Sequence, residues 1–154
     1  MSGFIAGGTP TQPYPITNDG FWPDIDGALL RASIRLDGSV TDARLEVATV
    51  NALIEINAEL QALKANHLGD GYRTLGAVPA PQIQAQSQWV WQYKRAVYCT
   101  VGAELAERYR SFDSTGEGHK HADDLTPSVD EFRRDARFAI RNLLGAAHST
   151  IELI

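Results

Sequence analysis

The sequence predicts an all-α protein. It reads as a small four-helix bundle-like domain at residues 21–147, with a flexible N-terminal arm (1–20) before it and a short extended C-terminal tail (148–154) after it. Three observations lead there. Apolar residues recur at helical spacing in four segments, helix-start signals open those segments, and glycine and proline gather between them. The 154 residues suit one domain, and a chain of that length buries roughly 70% of its unfolded surface, enough for a core without disulfides.

The first twenty residues are rich in Gly, Pro and Thr and offer no periodic face to bury, hence the arm. It ends at Phe21-Trp22-Pro23, two large aromatics that either anchor the arm on a partner or cap the protein's own core. Asp24 can N-cap a first helix running to about Arg35, with Leu29, Ala32 and Leu36 turned inward. After the turn signal Asp37-Gly38, Thr41 caps a long helix to about Asn66, with Asp42 in its first turn and Val40 as a hydrophobic staple. Leu45, Ala52, Leu53, Ile56, Leu60 and Leu63 form its core stripe. Val47, Val50 and Ile54 make a second apolar patch nearly opposite, so this helix is either central in its own domain or shared with a neighbouring chain.

Residues 67–81 carry five Gly and Pro residues and read as a loop. A third helix starts between Gln84 and Ser87 and runs to about Phe112. Trp91, Tyr98, Leu105 and Phe112 recur there at heptad spacing as a packing seam, with Val90, Val101 and Tyr109 beside them. Gly102 lies mid-helix, which costs about 1 kcal/mol against Ala and would be explained by close approach of another helix. An acidic loop from Asp113 to Asp124 follows. The fourth helix opens either on Thr126-Pro127 or on a Ser128/Glu131 capping box. It buries Val129, Phe132, Ala136, Ala139, Ile140 and Leu143, and stops at Gly145.

Fourteen Lys+Arg against nineteen Asp+Glu give a net charge of −5, which argues against a protein that coats nucleic acid non-specifically. Cys99 is the only cysteine, so no intrachain disulfide or multi-cysteine zinc site can form. The N-terminus lacks the pattern of a signal peptide, and no stretch matches the ~18 apolar residues of a membrane span. Phosphate-loop, nucleophile-elbow, H-E-x-x-H and C-x-x-C patterns are all missing, so no catalytic residue, metal or cofactor is assigned. His119 and His121 beside Asp123 and Asp124 are the nearest thing to a metal cluster and read as a solvated loop. Arg133, Arg137 and Arg141 stand four apart with Arg134 adjacent. That row is either a solvated face or a set of guanidiniums for carboxylates on a neighbouring subunit or partner; DNA phosphate is a third reading. One basic face and one acidic loop suit a head-to-tail contact, which can close into a ring.

Several of these pieces together resemble the phage head completion protein (gpL) family of temperate, contractile-tailed phages. They are Phe21-Trp22-Pro23-Asp24-Ile25-Asp26, Arg35-Leu36-Asp37-Gly38-Ser39-Val40-Thr41 with Arg44-Leu45, and Asn57-Ala58-Glu59-Leu60. Tyr93-Lys94-Arg95-Ala96-Val97-Tyr98-Cys99, Ala103 to Arg110, Phe112-Asp113 and Arg133-Arg134-Asp135-Ala136-Arg137 continue the match to about residue 145. The resemblance implies a virion protein of the head–tail junction, present in the host cytoplasm during assembly. It implies a ring of about a dozen copies that docks beneath the portal protein after DNA packaging, retains the genome and offers tail-completion proteins a platform. Packaged DNA would pass through without sequence-specific binding, no membrane is involved, and an acidic wall would avoid holding the phosphates. On this reading Val47, Val50, Ile54, Trp91 and Tyr98 form the oligomer interface. Phe21, Trp22, Arg133, Arg137, Arg141, Ile151, Leu153 and Ile154 bind partners, the last three by adding to the portal as an extended strand. The alternatives are a helical DNA-binding module, a small helical enzyme or metal protein using His119, His121 and nearby carboxylates, or another neck or tail-terminator component.

Overall fold

The computed structural model describes residues 13–36, 40–110 and 128–145, with the side chains of 109 and 110 left out. Phe112, the acidic loop with His119 and His121, and Ile151, Leu153 and Ile154 lie outside the described residues. In chain order the elements are β1 (Pro15–Ile16), β2 (Ile25–Asp26), α1 (Gly27–Ser33), α2 (Asp42–Glu59), α3 (Gln61–Gly69), a 3-10 turn (Leu75–Ala77), β3 (Gln82–Ile83), β4 (Gln86–Ser87), α4 (Gln88–Arg110) and α5 (Val129–Leu144). The protein is therefore mostly helical, with two small antiparallel strand pairs, β1–β2 and β3–β4.

The four-helix bundle expectation needs correcting. Five helices appear among the described residues, and α1 is short while α3 buries none of its side chains. The body consists of α2, α4 and α5, with α4 as the common partner of the other two. Both pairs are antiparallel. Asn142 reaches Gln92 and Arg133 reaches Glu107 across α4–α5, while Tyr93 meets Asn57 across α2–α4. Leu45, Ala52, Leu53, Ile56 and Leu60 are buried from the α2 side, Tyr93, Val97 and Val101 from α4, and Phe132, Ala136, Ala139, Ile140 and Leu143 from α5. Each large apolar side chain sealed this way contributes about 1.5–3 kcal/mol.

Two helix starts match their sequence signals. Thr41 Oγ1 accepts the Arg44 N–H, with Val40 and Leu45 both buried beside it as a staple requires. Ser128 and Glu131 form the reciprocal capping box of α5, and Gly145 ends that helix in the left-handed conformation at φ 64°. Gly102 faces α5 directly: a Cβ built there would lie 2.8 Å from a ring carbon of Phe132. Close approach of a second helix is thus the reason this position tolerates no side chain.

Other expectations change. Residues 13–20, read as arm, pack on the domain, because Pro15–Ile16 pairs with Ile25–Asp26 and Ile16 is buried. That pairing also moves the start of α1. Asp26, not Asp24, caps it, accepting from the N–H groups of Ala28 and Leu29, and the register buries Leu30 and Ile34 while Leu29 and Ala32 face solvent. Asp24 instead accepts the Asn18 N–H at 2.7 Å. The long helix breaks at Leu60, a fully buried residue at φ −94°, ψ 10°, and resumes as α3 into the segment read as a loop. The hairpin before α4 turns on Gln84 and Ala85, both at positive φ, without the Gly or Asn that announces such a turn.

Candidate functional site

Phe21 and Trp22 occupy the core, not the surface. They are 4% and 2% exposed, so the partner-anchor reading gives way to the one in which they cap the protein's own core. The Trp22 ring stacks on Tyr93 at 4.8 Å between centroids, and Phe21 meets Trp22 edge-on at the same spacing. Asp19 fixes this corner: its Oδ1 accepts the N–H groups of Phe21 and Trp22, and its Oδ2 meets Lys64 Nζ at 2.6 Å. Partial burial pushes the Asp19 carboxyl upward, but the bonds from Lys64 and the two backbone N–H groups outweigh it and hold the group below its ordinary range. Beneath lies a polar triangle that the apolar pattern gave no means of finding. Asn18 Nδ2 donates to the Tyr93 hydroxyl at 2.9 Å, Asn57 Nδ2 donates to Asn18 Oδ1 at 2.8 Å, and the Tyr93 hydroxyl donates to Asn57 Oδ1. Burial raises the Tyr93 hydroxyl well above the usual phenol range, so it stays a neutral donor.

On α2, Val47, Val50 and Ile54 are 57%, 40% and 64% exposed, so the second apolar patch faces solvent in the single chain. Beside Val47, Ala43, Leu105, Arg44 and Arg108 line a concavity of about 390 Å³ between the start of α2 and the end of α4. The aromatic seam of α4 divides. Leu105 is buried, whereas Trp91 is 43% exposed and Tyr98 half-buried, because the core face of α4 runs instead through Val90, Tyr93, Val97 and Val101. Trp91 and Tyr98 border a cleft of about 750 Å³ between α1, the β3–β4 hairpin, α4 and Phe132 of α5. Nothing in the residue spacing revealed this cleft, since its walls come from four separate elements.

The arginine row splits as well. Arg133 meets Glu107 at 2.8 Å, and Arg134 meets Asp135 at 3.4 Å, so both are satisfied within the chain. Arg137 and Arg141 are exposed and make no ion pair among the described residues. Arg137 borders a groove in which Glu55, Glu59, Glu104 and Glu107 gather from α2 and α4. Cys99 is half-buried, and burial raises its thiol above the ordinary value. Among the described residues no group of three or more His, Cys, Asp or Glu is placed to hold a metal, and no helix is long and apolar enough to cross a membrane.

Among the described residues the helical body thus presents a solvent-facing apolar stripe, an apolar cleft and two exposed guanidiniums, Arg137 and Arg141, that make no ion pair there. Comparisons with known proteins place this mostly helical chain in a family. The family described as phage head completion protein (GPL) matches residues 16–154, and the chain belongs to it. Two relatives agree. The chain is 36% identical over 153 residues to the head completion/stabilization protein of Escherichia phage P2, covering 96% of this chain and 90% of that one. It is 24% identical over 147 residues to the probable head completion/stabilization protein of Haemophilus phage HP1 (strain HP1c1), covering 94% and 97%. No solved structure matches the chain at a significant level. It is a structural component that serves phage head completion and virion assembly.

Proposed function

We propose that the protein completes the head by assembling as a ring of copies beneath the portal after DNA packaging, where it retains the genome and presents a platform to tail-completion proteins. The observation that carries this reading is the solvent-facing stripe of Val47, Val50 and Ile54 on a helix whose other side is already buried in the core. Such a stripe gains by being covered, and a second copy of the chain is the partner that ring formation supplies. Trp91 and Tyr98 extend the contact to the aromatic cleft, and Arg137 and Arg141 offer guanidiniums to carboxylates of a neighbour or of the portal.

Magnitudes favour assembly on a template. Covering three side chains that are about half exposed contributes roughly 3–5 kcal/mol. Association costs on the order of 4–15 kcal/mol, so this stripe alone does not hold free copies together. A portal that binds each copy raises their local concentration and removes most of that cost. The net charge of −5 fits a channel through which DNA passes without being held.

Ile54→Asp tests the reading, because the site is exposed and the substitution leaves the core alone. The variant should remain folded and monomeric, with the same circular dichroism as the parent, yet add no ring to purified portal under conditions where the parent does. An undiminished ring with Ile54→Asp would overturn the assignment of this face.

A further inference from the structure

The outer edges of α2 and α5 complement one another. We propose that α5 of one copy packs along α2 of the next, with Arg137 opposite Glu55 and Arg141 opposite Glu59. The pairing rests on ring formation and names the two unlike faces that meet at each junction.

Four side chains carry it. Glu55 and Glu59 on α2 and Arg137 and Arg141 on α5 are all exposed, and none makes a hydrogen bond or ion pair among the described residues. Charges close by are already engaged: Glu104 holds Arg108, Glu107 holds Arg133, and Asp135 holds Arg134. Within the chain, Glu55 and Arg137 stand on opposite walls of the groove floored by Thr100 and Ala103 of α4, and no ion pair bridges it between them. The two acids are four residues apart on α2, and the two guanidiniums are four apart on α5. Both spacings are a rise of about 6 Å. One pair therefore matches the other in sign, number and separation, which is what fixes the register of a contact between charged faces.

Direction decides which acid meets which guanidinium. Because α2 and α5 each run antiparallel to α4, they run parallel to one another. They flank α4 on either side of the groove, so their far edges lie on opposite flanks of the body. Neighbours in a closed ring of many copies differ by a small rotation, and α5 of one copy then meets α2 of the next still running the same way. In that register Arg141 comes level with Glu59 when Arg137 comes level with Glu55. Arg134 and Arg137 then bracket Ile54, which is 64% exposed, and their aliphatic stems cover it while the charged heads stay at the rim. The same pairing thus covers part of the α2 stripe.

Two full-length variants test the pairing, one carrying Glu55→Arg and Glu59→Arg, the other Arg137→Glu and Arg141→Glu. Each moves the net charge of −5 by four, to −1 and −9, so both chains stay negative and no overall attraction draws them together. All four sites are exposed, and circular dichroism should match the parent. Either variant alone sets like charges face to face and should form rings on purified portal at least about tenfold less than the parent, counted by electron microscopy. An equimolar mixture should restore the rings, because each junction between unlike variants again joins acid to guanidinium. Without portal, sedimentation equilibrium at high protein concentration should show the mixture associating at least about tenfold more tightly than either variant alone. Undiminished rings in either variant, or a mixture that restores none, would overturn the pairing and leave ring formation standing. A parent that forms no ring would overturn ring formation, and sedimentation then decides the pairing by itself. A mixture that associates no better than its separate components would overturn the pairing in either case.

Discussion

A methyl group added at Gly102 meets two opposing effects whose sizes decide the outcome. Alanine is favoured over glycine inside a helix by about 1 kcal/mol, so Gly102→Ala in isolation would stabilise α4. In the folded chain, however, the new Cβ would lie 2.8, 2.9 and 3.1 Å from three ring carbons of Phe132, whose ring is buried at the α4–α5 contact. Forcing a buried ring aside costs roughly 2–3 kcal/mol, which exceeds the propensity gain. The net loss is about 1–2 kcal/mol, or a fall in Tm of about 3–6 °C for a chain of this size. Phe132→Leu, which removes the clashing ring atoms, should itself cost about 1 kcal/mol. Calorimetry or thermal circular dichroism on both single variants and the double variant completes a mutant cycle. The double variant should be more stable than the sum of the two losses predicts, by at least about 1 kcal/mol. A rise in Tm for Gly102→Ala, or simple additivity, would refute the claim that Phe132 sets the close approach.

Three further variants probe the caps and charges. Ser128→Ala removes the acceptor for the Glu131 N–H at the start of α5 and should cost about 1 kcal/mol in thermal unfolding, while Thr41→Ala should act similarly on α2. Asp19 has a folded-state carboxyl held below its ordinary range, so its contribution is present above the unfolded pKa and is lost as pH falls through the folded value. Tm measured across that acid range should therefore fall less steeply in Asp19→Asn than in the parent, because the amide oxygen still accepts from Phe21 and Trp22 but no longer carries the titrating charge.

What the sequence revealed depended on whether its signal was local and periodic. The stripe of α5, its capping box and Gly145 all obey spacing rules within one helix, and the structure reproduces them, with Val129 half-buried and the other five stripe residues buried. The exposed patch on α2 was legible for the same reason, since three residues that cannot share the core stripe must face elsewhere. Failures arose where distant segments meet. The β1–β2 pairing recruits residues from a Gly/Pro-rich stretch and shifts the start of α1, and two-residue strands are too short to alternate visibly. Gln84 and Ala85 adopt a turn that their side chains do not advertise. The Asn18–Tyr93–Asn57 triangle joins three regions through hydrogen bonds, which an apolar pattern does not encode. The break at Leu60 interrupts a stripe that the pattern continued through, and no proline or glycine marks it.

The central claim is that Val47, Val50 and Ile54 lie between neighbouring copies gathered on a portal. Electron microscopy of purified portal mixed with this protein measures that directly. The account predicts a closed ring of extra density beneath the portal, with the outer face of α2 at each junction between copies. A portal that binds isolated single copies, or a ring in which that face looks out to solvent, would contradict it.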